Sequence, residues 1–240
     1  MKNSSYRPRP GSYRIDLTPV TVYHRGDPMK TAALREQIQR AHEHERTTGQ
    51  LLQQLERQLP CLHPSIQFGD SDPKTALARF VGAYIDQVPD LLDAAAEVAS
   101  EAGIEGQIKP VLKIAEEYFF KPPQIMASHE GLDCLLDEAY LAHRLVEEVN
   151  DLYIRHFSQP LIPLDTTVAN LIAHQLIGEA FANQLDEVVH HSVEQLLDEE
   201  SFALESVQAY KGTLTSPETG AAWKRWPCLS RQLGIGLGKA

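Results

Sequence analysis

Cysteine is scarce in this chain. The three present, Cys61, Cys134 and Cys228, are far apart, odd in number and form no C-x-x-C pair. That excludes a disulfide framework and a cysteine-built zinc site. Each is followed by leucine, so all three are expected to pack as small hydrophobes rather than act as thiolates. No apolar run is long enough to span a bilayer. Met1–Gly11, MKNSSYRPRPG, has no apolar stretch of the kind a secretory signal needs. The expectation is a protein of the reducing cytoplasm with no membrane partner. An excess of basic charge is also missing: 33 acidic residues against 22 basic ones give a formal charge of −11 at pH 7. This excludes a generally basic nucleic-acid coat. Phosphate-binding and nucleophile motifs are absent too. Gly234-Ile-Gly-Leu-Gly-Lys239 matches a phosphate cradle in composition alone, because no strand precedes it. There is no Gly-x-Ser-x-Gly elbow, and no repeat that would mark a solenoid.

What remains is a 240-residue chain of ordinary globular composition, 42% hydrophobic and 23% charged. Such a chain forms one large domain or at most two small ones. Its charge is segregated. Residues 1–26 balance at +4 and residues 206–240 again at +4, while residues 27–205 hold 12 basic and 31 acidic residues, a balance of −19. The chain therefore divides into a basic extended N-terminal arm (1–26), an acidic helical body (27–205) and a basic, aromatic-containing C-terminal tail (206–240). The tail carries Trp223, Lys224, Arg225 and Trp226, the candidate interaction residues. Such ends can stay in solvent, lie on the body or clasp a second subunit. A nucleic-acid contact is disfavoured, because a −19 body repels a phosphate backbone.

The body reads as helices. Asp27-Pro28 and Asp72-Pro73 each place a capping carboxylate before a first-turn proline, and Ser128 and Asp165 or Thr166 are further caps. Pro60, Gly103, Pro122-Pro123 and the pair Pro160 and Pro163 are stops. These signals bound helical regions at about 28–59, 73–102, 105–120, 129–158 and 166–211. Pro89 should kink or split the second. The fifth is too long for one helix and should break near 198–201. Strand signals are weak: only Tyr13–Tyr23 alternates, and Pro19 demotes it. The fold expected is all-α, an irregular bundle of five to seven helices with extended arms.

The fourth region is apolar on two sides. Leu132, Leu135, Leu136, Ala139, Val146, Tyr153, Ile154 and Phe157 form one face and Leu141, Leu145 and Leu152 the other. Such a helix is central in the domain or lies at a subunit contact. On the fifth region a single helical wheel places Leu171, Ile177, Phe181, Leu185, Val188, Val189 and Leu196 inward.

Ten histidines are about twice what composition predicts. His143 falls within the main apolar face of the fourth region, one turn from Glu147, and His174 within that of the fifth. His143, Glu147, His174 and Glu179 are therefore the candidate ligands of an iron or manganese ion. Glu187-Val-Val-His190 has the Glu-x-x-His spacing of di-iron bundles, but the second copy such bundles require is missing. The competing readings are core histidines satisfied by Asn150, Asn170, Tyr140 or each other, and a pH-sensitive buried pair. Two functions follow. One is a non-catalytic helical scaffold or regulatory interaction module, a homodimer or a binder of another protein. The other is a metal-dependent oxidoreductase built in the bundle core.

Overall fold

The computed structural model describes residues 29–101, 105–123, 126, 131–158, 160, 166–197 and 235–238. Its helices are α1 (Thr31–Thr48), α2 (Gln50–Gln58), α3 (Pro73–Glu101), α4 (Glu105–Phe120), α5 (Leu132–Phe157), α6 (Thr167–Ile177) and α7 (Glu179–Leu196). Two-residue strands β1 (Ile66–Gln67) and β2 (Gly236–Leu237) pair antiparallel, Ile66 opposite Leu237. The architecture is an all-α bundle.

Helix α5 is its axis, packed against α1, α2, α3, α4, α6 and α7. Leu135, Leu136, Ala139, Val146 and Tyr153 on one face, and Leu141 and Leu145 on the other, are all buried. Both faces are thus covered within one chain, which makes α5 a central helix of the domain. Burying a leucine contributes on the order of 1.5–3 kcal/mol, so this doubly covered helix is a main source of core stabilisation. Ile154 departs from the expected pattern and is exposed.

Local chemistry explains most boundaries. Asp72 caps α3 as its sequence suggests, its Oδ2 accepting from the Thr75 backbone N–H at 2.9 Å and hydroxyl at 2.6 Å. These bonds hold its carboxyl below the usual range. Pro89 does not split α3, which runs on to Glu101, and α4 likewise contains Pro110. The expected first region divides instead at Gly49. Its φ of 61° is left-handed, a conformation favouring glycine, and its N–H closes α1 on the Glu45 carbonyl. The Glu45 carboxylate then accepts from the Leu51 and Leu52 backbone N–H groups at 2.8 and 3.2 Å, capping α2 from the preceding turn.

The fifth region breaks at Gly178, where φ is 97°; the break expected near 198–201 lies outside the described residues. That break rotates α7 relative to α6, so one continuous wheel misassigns the faces of α6. Leu171, expected inside, is 49% exposed, whereas Ile172 and Leu176 are buried. Leu185, Val188 and Val189 on α7 are buried as expected. The Asp27-Pro28 start, the Tyr13–Tyr23 stretch, the cap at Ser128 and the stop at Gly103 lie outside the described residues.

The C-terminal end returns to the body. Ile235 is buried, and the Gly238 N–H donates to the Ser65 carbonyl at 2.7 Å. Gly236 and Leu237 of the glycine-rich motif thus form a strand edge, and residues 235–238 of the expected tail lie on the body.

Candidate functional site

One connected group of interior polar side chains runs across α3, α5, α6 and α7. Tyr84 on α3 donates its hydroxyl to Asn170 Oδ1 on α6 at 2.7 Å. The Asn170 Nδ2 donates to Glu147 Oε2 on α5. The same Glu147 oxygen accepts from Arg144 Nη1, one turn earlier. Arg144 Nε donates to Asp186 Oδ1 on α7 at 2.9 Å, and the Tyr140 hydroxyl donates to that oxygen, also at 2.9 Å. Tyr84 and Tyr140 are fully buried, while Arg144, Glu147 and Asp186 keep partial access to solvent. Desolvation raises the pKa of both phenols. Arg144 is held charged by Asp186 and Glu147 against the opposing effect of burial. The asparagine amide uses both ends, acceptor toward α3 and donor toward α5, so it fixes the register of three helices at once.

His143 is adjacent and serves a different purpose. It is wholly buried, its Nε2 bonds the Tyr84 backbone carbonyl at 2.8 Å, and its ring lies on the Tyr84 ring with centroids 4.2 Å apart. Because a carbonyl only accepts, Nε2 carries a proton. Burial depresses its pKa to about 4. Pro89 removes the donor for the carbonyl four residues earlier, that of Ile85. The imidazole thus supplies a donor to the carbonyl next to the one left open.

The four residues expected to share a metal ion do not come together. The His143 Nε2 is taken by Tyr84, and Glu147 by Arg144 and Asn170. His174 is half-buried rather than central, bonded to Asn183 Oδ1 at 3.1 Å with its ring edge-on to Tyr140. Glu179 is exposed in the first turn of α7. Among the described residues, no group of three or more His, Cys, Asp or Glu side chains is placed to hold a metal ion. Glu187 and His190 both face outward, His190 contacting Glu194 at 3.1 Å. Of the cysteines, Cys134 is partly buried with a raised pKa, whereas Cys61 is exposed. Trp223, Lys224, Arg225, Trp226 and Cys228 lie outside the described residues.

Sequence reasoning missed Tyr84, Arg144 and Asp186. The spacing of Tyr140, Arg144 and Glu147 puts the three on one side of α5 and is the signal that could have found Arg144. No helix among the described residues is long and apolar enough to cross a membrane. No match to this chain exists among protein-family models, curated proteins or solved structures.

Proposed function

We propose that this chain is a non-catalytic helical interaction module of the reducing cytoplasm that pairs with a second copy of itself, basic end segments of one copy meeting the acidic body of the other. The segregation of charge carries this reading: +4 at each end against −19 between them. The interior supports it, because Arg144, Glu147, Asn170 and Asp186 are engaged with one another and hold helices together. The covered faces of α5 leave the surface and the ends as the means of association. Exposed opposite charges attract over a range of about 10 Å at 0.1 M salt and less above it.

Light scattering on the eluting full-length protein tests this. At micromolar concentration and low salt, the expected mass is twice the 26.8 kDa of one chain. It should fall toward the single-chain value in high salt, and at low salt in the full-length variant carrying W223A, K224E, R225E and W226A. A single-chain mass for the unaltered protein at low salt would rule the pairing out.

A further inference from the structure

The first turns of α5 gather carboxyls that no cation among the described residues pairs. Asp133, Asp137 and Glu138 stand there around the Cys134 thiol, which feels all three. Asp133 Oδ2 accepts from the neutral Gln50 Nε2 of α2 at 2.7 Å, while its Oδ1 is buried and makes no hydrogen bond. Glu138 is 6% exposed, and its Oε2 is likewise buried without a partner. From α1 the nearby titratable group is His44, whose ring borders Gly131 beside Asp133. Among the described residues of α3, α4, α6 and α7, no charged side chain acts on Asp137 or Glu138; the charges they feel are those of the neighbouring acids. An ionised carboxylate in such surroundings is costly, and the ordinary outcome is that it keeps its proton.

We propose that this end of α5 is a proton-operated latch: with Asp137 and Glu138 uncharged it stays packed on α1 and α2, and loss of their protons puts negative charge among buried carboxyls and loosens it. Burial raises Asp137 to about 7 and Glu138 to about 8. The unfolded chain releases both protons near pH 4, so the folded state binds more protons between there and pH 8. Stability from this pair is therefore full below about pH 4 and is lost progressively as pH rises to the folded values.

Carbon-13 carboxyl NMR of the full-length protein reads the titration directly. Two carboxyls should titrate between about pH 6 and 9, and be absent from the spectrum of Asp137→Asn/Glu138→Gln. Hydrogen exchange over 132–142, corrected for its intrinsic pH dependence, should quicken by about tenfold on passing through this range. The double amide variant should show no such change. If every carboxyl of the folded protein titrates at ordinary acidic values, or if exchange in 132–142 does not respond to pH, the latch does not exist. The NMR titration is done on the unaltered chain, so it decides the matter even if the variant does not fold.

Discussion

Asn170→Ala is expected to destabilise the protein by about 2–4 kcal/mol. The substitution removes little apolar contact, so propensity and packing alone would predict a small effect. The cost comes from what it strands. The hydroxyl of Tyr84, a residue wholly out of solvent, loses its acceptor, and Glu147 loses the donor from α6. Leaving a buried donor unpaired costs the full desolvation of that group, and an anion losing one of its donors adds to it. Equilibrium unfolding in urea measures it: the midpoint should fall while the dependence on denaturant stays that of the unaltered protein. Tyr84→Phe in the Asn170→Ala background should recover part of the loss, because the stranded hydroxyl is then gone.

The second large effect belongs to His143 and to acid. The imidazole is neutral in the fold and its pKa is depressed to about 4, against about 6.5 in the unfolded chain. As pH falls below 6.5 the unfolded state takes up a proton that the folded state refuses, so folding loses ground. The contribution is complete above pH 6.5 and disappears as pH falls through 4; it amounts to about 3 kcal/mol. The latch carboxyls act with opposite sign, and other acids titrate in both proteins. The informative quantity is thus the difference between unaltered protein and His143→Phe, measured by denaturant unfolding near neutral pH and near pH 4. The variant should be less stable near neutrality, because the Tyr84 carbonyl loses the imidazole N–H that bonds it across to α5. The gap should narrow toward pH 4. A gap independent of pH would mean that the imidazole is not held neutral.

The bundle itself was legible in the sequence because its signals are local. A capping aspartate before proline, as at Asp72, and a 3.6-residue apolar pattern, as along α5, act within a few residues. The breaks at Gly49 and Gly178 were not, because a single glycine inside a helical pattern is tolerated as often as it turns the chain. The second omission had consequences. A wheel drawn straight through Gly178 put Leu171 inside and His174 at the centre, and from that followed the inclusion of His174 among the candidate metal ligands.

Burial of His143 was visible in its position on an apolar face. Its partner was not, since a backbone carbonyl of Tyr84 carries no sequence signature and lies in a helix paired with α5 only by the tertiary fold. The connected polar group of the interior shares that property. Tyr84, Arg144, Asn170 and Asp186 come from four helices, and only Arg144, Glu147 and Tyr140 are neighbours along one of them.

The central claim is that these interior polar groups act on one another and so hold the helices in register. A double-mutant cycle on Asn170→Ala and Glu147→Gln tests it most directly, by urea unfolding of the unaltered protein, both single variants and the double. The bond between α5 and α6 predicts that the double variant loses less than the two single losses together, with a coupling of at least about 1 kcal/mol. Losses that simply add would contradict it, and with it the assignment of the interior to holding the fold.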